Sequence, residues 1–429
     1  MKNLFFHLMA YKGLPADFAE KYESVWVNID AKLYDPDVVR QSFKDYLDQL
    51  RFADELGFDG ICVNEHHSNG YAIMSSPQMM ATVLARESTR AAILIMGCSI
   101  ALYDPPQRVS EDMATVDAMS GGRLIAGFPI GTPFDTCYAY GQNPSSVRQK
   151  YYEAYDIIMR TWSSDEMFAY NGEYYKQPFI NTFLKPKQRP HPPIWVPGGG
   201  SIETWRWAAE NNFAYGYTSF YGAQNARAQI QGFWDTVKEV GGDMNPFKLG
   251  IVQFIGVAES RKEAMELYRA PAEYLYNCNL KVAPRWAVPP GYQSEETKRM
   301  QIKSTMQQTA LKAVDAMRAG GVTMEEIVER GYVIIGSPDE VADQLRKNSM
   351  ELNCGNMMNL LQFGNMSQEV GLYNIEMFAR YVKPQLDGLF EDEWEHHWWP
   401  DACSTRAALP PGPGPTAPGR PTASALVDA

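Results

Sequence analysis

Asn64-Glu65-His66-His67 sets a carboxylate and two imidazoles on consecutive residues at the end of the apolar run 60–64. Imidazole titrates near neutrality, so His66 is a candidate general acid or base, with Glu65 placed to orient or charge it. Hydrogen bonds that merely cap a strand end are the plainer use of the same residues. A catalytic zinc would need more ligands than the chain offers. Of the six histidines, His7 lies in the first apolar run, His191 in a Pro-rich connection, and His396 and His397 far downstream. Without an H-x-H pair on the first run, no metal is expected.

Two further groupings could bind rather than react. Pro197-Gly198-Gly199-Gly200-Ser201 leaves an apolar run and enters a helix-like stretch near Ile202. Backbone N–H groups at a helix start, with no Cβ in the way and a hydroxyl alongside, suit a phosphate. No Lys follows, so this is not a Walker loop, and a triple glycine also serves a tight turn. Arg148 and Tyr152, four apart, share one helix face and could both reach a bound anion or ring. A solvated Arg and a packed Tyr are the alternatives. Tyr138, Tyr140 and the segment 215–221 could wall an apolar pocket for a flat ligand. Arg123, in the turn 119–124, reads as structural.

The elements that must position these residues alternate. Strand-length apolar runs occur at 4–10, 60–64, 93–101, 124–128, 194–197, 214–220, 249–257 and 357–362. Most are continuous, as parallel strands covered on both faces require. Between them, 37–56 follows helical spacing after Asp35-Pro36 and stops at Gly57. Asp104-Pro105 opens a stretch that closes at Ser120-Gly121-Gly122. Ser337-Pro338-Asp339-Glu340 is a capping box whose helix should end at Gly355. Segments 146–162, 202–211, 224–240 and 260–276 complete the alternation. Eight such units predict a (β/α)8 TIM barrel with long insertions after strands 1 and 7, at 11–35 and 277–333. A doubly wound sheet is the runner-up, but no G-x-G-x-x-G turn follows the first strand. Loops after barrel strands lie on the catalytic face, so both insertions are candidate lids.

Composition closes off other classes. The 429 residues carry 39 Lys+Arg against 51 Asp+Glu, a net charge of −12. That balance argues against a nucleic-acid backbone reader, and no run is long and apolar enough to predict a membrane span. The N-terminus lacks a secretory signal pattern, and six scattered cysteines without C-x-x-C spacing suit a reducing, cytoplasmic setting. Residues 1–400 are expected to form the barrel domain, with the aromatic 394–399 packed on its outside or on a partner. The Pro/Ala/Gly-rich 401–429 is expected to be a disordered tail.

Together these segments resemble the bacterial luciferase-like, flavin-dependent monooxygenases over roughly residues 1–385. The resemblance rests on Glu65-His66-His67, Pro77, Pro105-Pro106, the turn Asp117–Arg123, Arg148 with Tyr152, the P-I-W-V-P-G-G-G-S segment with Ala208-Ala209-Glu210, and Gly336–Glu340. It implies a barrel that binds FMN in the reduced form. The flavin would react with O2 to a C4a-hydroperoxide and oxygenate a small or medium organic substrate. By position, His66 matches the family's catalytic histidine. Cys98-Ser99 match the strand end that runs under the isoalloxazine, often through an unusual peptide bond. Gly198, Gly199, Gly200 and Ser201 match the phosphate-side loop, and Arg148 and Tyr152 match cofactor contacts.

One position departs from luciferase's catalytic subunit. Its phosphate-binding Arg is Ile130 here, and the preceding reactive Cys is Pro129. Phosphate binding then falls to Arg148 and the glycine loop. With no dinucleotide fingerprint, the electrons are expected from a separate NAD(P)H:flavin reductase, and a homo-oligomer is expected from the resemblance. Two alternatives follow from related barrels: an F420-dependent oxidoreductase transferring hydride, and a non-catalytic subunit like luciferase's β chain. The latter lacks the His66 equivalent, so the E-H-H here favours the catalytic type.

Overall fold

The computed structural model describes residues 1–286, 288–300 and 321–404. In chain order the strands are β1 (Lys2–Phe6), β2 (Gly60–Val63), β3 (Ala92–Ile95), β4 (Leu124–Gly127), β5 (Phe168–Asn171), β6 (Lys176–Ile180), β7 (Ile194–Gly198), β8 (Ala214–Tyr217), β9 (Leu249–Val257), β10 (Val333–Gly336) and β11 (Asn356–Leu360). Eight of them, in the order β1-β2-β3-β4-β7-β8-β9-β11, close into a parallel barrel. Leu4 sits level with Gly60 on one side and Met358 on the other, and Tyr217 level with Ile251. These are the eight strands the apolar runs predict, so the chain is a (β/α)8 barrel.

Burial on both faces explains the continuous runs: every residue of β2, β3, β4 and β9 is buried. Close packing also dictates Gly60, where an added Cβ would lie 3.0 Å from the Leu4 side chain. Two features lie outside the sequence expectation. The half-exposed hairpin β5–β6 pairs antiparallel on its own, and β10 adds to the end of β9, with Val333 level with Phe254. Several predicted strands also overrun the real ones. β1 stops at Phe6, β3 at Ile95 and β8 at Tyr217. Beyond β1 and β3 the chain remains buried, and beyond β8 it is half-buried at the cavity mouth, so its apolar pattern continues without strand geometry.

The helices follow their punctuation. Asp35 accepts from the N–H groups of Asp37 and Val38 to open the helix Pro36–Glu55. Gly121, at φ +76°, ends Gln107–Ser120. Ser337 and Glu340 form the expected capping box, but Asn353 in the left-handed region, not Gly355, ends that helix. At the N-terminal end of the barrel, Arg123 is buried and donates to Ser88 and to the carbonyls of Ala91 and Ser120, a structural role. There the aromatic segment seals the floor. Trp195 Nε1 donates to the Trp398 carbonyl, and His396 stacks on Phe247 at 4.5 Å. Among the described residues, no helix is long and apolar enough to cross a membrane. Most of the predicted tail, 405–429, lies outside the described residues, as does 301–320 of the second insertion.

Candidate active site

The C-terminal mouth of the barrel opens into a cavity of about 350 Å³ lined from both long insertions and from the ends of β2, β3, β4, β7 and β8. It has two chemically distinct poles.

At the first pole, β2 delivers His66. Its Nδ1–H donates to Asp135 Oδ2 at 2.8 Å, and no other described residue bonds the ring, so Nε2 is left for a ligand in the cavity it lines. Asp135 belongs to the loop after β4 and is almost fully buried. Burial alone would raise its pKa. The His66 imidazole, the His67 N–H and the Thr132 hydroxyl outweigh that and hold the carboxyl below its ordinary value. A carboxylate that fixes an imidazole's tautomer and stabilises its protonated form is the arrangement proton transfer requires.

The neighbouring residues play another part. Glu65 does not touch His66. One of its oxygens receives His67 Nε2–H at 2.8 Å and the Tyr103 hydroxyl at 3.1 Å, and the other receives the Ser99 N–H at 2.6 Å. With those acceptors occupied and the side chain buried, Glu65 braces the β2 and β3 ends against each other. The orienting carboxylate is therefore Asp135, which sequence reasoning missed. Its signal was available: an acid three residues beyond Thr132, in a loop that must return to the catalytic face.

Around His66 stand aromatic rings. Trp26, from the first insertion, stacks on Tyr71 at 3.8 Å and meets His66 edge-on at 5.3 Å. Phe134 and Phe220 complete this wall. Of the aromatic residues flagged in the sequence, Phe220 lines the cavity. Tyr215 is core against Phe233, Tyr138 meets Trp286, and Tyr140 covers His67.

At the second pole, Gly198, Gly199, Gly200 and Ser201 leave β7 and start the helix Ile202–Glu210. All four line the cavity, as does Arg148. Arg148 Nη1 and Nη2 donate to Thr204 Oγ1 and Ser201 Oγ, each at 3.3 Å. Among the described residues that guanidinium forms no contact ion pair; its neighbours are the two hydroxyls and, beyond contact, Glu203, whose carboxyl its charge helps to hold below the ordinary value. A Cβ on Gly199 would meet nothing within 4 Å, whereas one on Gly200, at φ +99°, would sit 2.8 Å from Gln229. Bare backbone, a helix N-terminus, two hydroxyls and a guanidinium fit a phosphate. Glu203 in the first helical turn turns away, accepting from the Thr297 hydroxyl, which itself caps the Ile202 N–H.

The remaining sequence candidates separate. Ser99 lines the cavity beside Gly131. Cys98 is buried behind it with its Sγ against Gln78, burial pushing the thiol well up. Among the described residues the cis bonds are Asp104-Pro105 and Arg189-Pro190, so the Cys98-Ser99 peptide is not cis. Tyr152 packs on Trp207 at 4.7 Å and lies outside the lining. Ile130 does line it, an apolar side chain where luciferase has Arg.

The chain is 23% identical to 4-hydroxyprotoasukamycin monooxygenase of Streptomyces nodosus subsp. asukaensis over 369 residues, 82% of this chain and 89% of that one. Its fold matches the oxygenating constituent of 3,6-diketocamphane monooxygenase from Pseudomonas putida, solved with FMN, at a TM-score of 0.67 and 17% identity, covering 90% and 98% of the two chains. An F420-dependent secondary alcohol dehydrogenase also shares the fold, at a TM-score of 0.59 and 18% identity over 90% and 98%. The luciferase-like monooxygenase profile matches residues 26–351, and the chain belongs to that family.

Proposed function

We propose that this chain is the oxygenase component of a two-component system. It takes reduced FMN from a separate NAD(P)H:flavin reductase and uses O2 to oxygenate a small or medium organic molecule in a reducing, cytoplasmic compartment. The observation that carries the reading is one cavity with a phosphate-fitting pole at Arg148 and the glycine loop, and a proton-transferring pole at His66–Asp135. Reduced FMN, when bound, supplies the electrons that activate O2.

The protein's own contributions follow from the two poles. Arg148, Ser201 and the helix start hold the phosphate and so fix the cofactor's position. His66 Nε2 gives or takes a proton beside the ring, and Asp135 stabilises the imidazolium formed in between. Trp26, Tyr71, Phe134 and Phe220 keep water from that end, which limits loss of reducing equivalents to solvent.

The test is rapid mixing of anaerobic protein and FMNH2 with oxygenated buffer. Flavin re-oxidation slower than that of free FMNH2, with kinetics altered in His66→Asn, is expected. Re-oxidation at the free rate, or binding of F420 in place of FMN, would overturn the reading, the second in favour of hydride transfer.

A further inference from the structure

We propose that the substrate is an uncharged, apolar, ring-bearing molecule, seated against Trp26, Tyr71, Phe134 and Phe220 beside His66. The inference rests on the flavin reading above and adds to it the chemical class of the second ligand.

Charge decides the class. The cations among the described lining residues are Arg148, plus His66 when protonated. Arg148 stands at the glycine loop, held by Ser201 and Thr204, and there it is committed to the cofactor phosphate. His66 is backed by the Asp135 carboxylate at 2.8 Å, which opposes a second anion near that ring. A carboxylate or sulfonate at the aromatic pole would therefore be desolvated without a counter-ion, a cost no contact there offsets.

A cation fares no better. Glu65, the carboxylate that lines the cavity, already accepts from His67, Tyr103 and the Ser99 N–H, and Asp135 behind His66 accepts from the His66 ring, the His67 N–H, the Asn69 amide and the Thr132 hydroxyl. Trp26, which could otherwise face an ammonium, has one face covered by Tyr71 at 3.8 Å, with Phe134 tilted against it at 4.9 Å and His66 meeting it edge-on at 5.3 Å. What the four rings do offer is apolar surface and ring-to-ring contact, each pair contributing about 0.5–1.5 kcal/mol beyond burial. Trp26 is the anchor, since it touches Tyr71, Phe134 and His66 together.

The experiment compares three probes of one skeleton on the FMN-saturated chain by titration calorimetry: 2-acetylnaphthalene, 2-naphthoate and 2-(aminomethyl)naphthalene. The ketone is expected to bind at least tenfold more tightly than either ion. Trp26→Ala should weaken the ketone about tenfold or more, and Trp26→Phe should keep it within a few-fold, which controls for folding. Equal or tighter binding of either ion, no binding of the ketone, or indifference to Trp26→Ala would overturn the proposal. FMN affinity measured in the same samples separates the two readings. With FMNH2 titrated anaerobically as the second arm, if FMN or FMNH2 binds and the ketone is not preferred, the substrate class alone fails; if neither binds, the flavin reading fails.

Discussion

The two poles of the cavity are built from the same kind of element, a strand end and the loop after it, yet by opposite rules. At the His66 pole the two carboxylates are fully engaged: Asp135 with four donors, Glu65 with three. At the Arg148 pole a full positive charge faces two neutral hydroxyls and bare glycine backbone. Pre-pairing suits a group that must hold one tautomer through a reaction, because orientation and proton affinity are fixed before substrate arrives. A guanidinium without a contact ion pair suits a group whose partner comes with the ligand. The difference assigns chemistry to the first pole and binding to the second, and single substitutions should separate the two.

The largest effect is expected from His66→Asn. Substrate-dependent O2 consumption should fall about 10²–10⁴-fold while FMN affinity stays within a few-fold. Asp135→Asn keeps the shape but removes the charge behind the imidazole. It should lower turnover about 10–100-fold, again sparing FMN affinity. Glu65→Gln, by contrast, should act on stability: a lower Tm, and turnover changed less than by Asp135→Asn. The reverse pattern would make Glu65 the orienting acid.

At the other pole Arg148→Ala should weaken FMN about 10–100-fold, the span of a lost charge-assisted contact of about 1.5–3 kcal/mol. Riboflavin, which lacks the phosphate, should bind this variant as it binds the wild type.

The smallest effect concerns a third histidine that sharpens the contrast. His7 is fully buried, its Nδ1 accepting from the Met9 N–H and its Nε2 bonded to Gln49, and burial lowers its pKa to about 3. Its unfolded value is near 6.5, so the unfolded chain binds more protons between the two values and stability rises with pH there. The contribution is present above about 6.5 and is lost as pH falls toward 3, at up to about 1.4 kcal/mol per pH unit. Urea titrations from pH 7 to pH 5 should show this slope, and His7→Gln should flatten it.

Much of this was legible in the sequence because local and global signals coincide. Continuous apolar runs located all eight barrel strands, and the barrel rule then placed His66 and the glycine loop at the same mouth. Asp35, Gly121 and Ser337 announced their helices through capping chemistry. What failed was pairing across loops. Glu65 is adjacent in sequence to His66, but in near-extended chain just past a strand end successive residues point apart and alternate ones share a side, so it meets His67 and Ser99 while Asp135 arrives from 69 residues away. Tyr152 shares a helix with Arg148, yet Trp207 draws it into packing. Trp26 sits in an insertion whose local pattern gave no strand or helix, and only the closed barrel shows that it reaches His66.

The division of labour is tested most directly by anaerobic titration of FMNH2 and reduced riboflavin into the wild type, Arg148→Ala and His66→Asn. The account predicts that the wild type and His66→Asn prefer FMNH2 by tenfold or more and that Arg148→Ala loses the preference. A preference that survives Arg148→Ala, or disappears in His66→Asn, would contradict it.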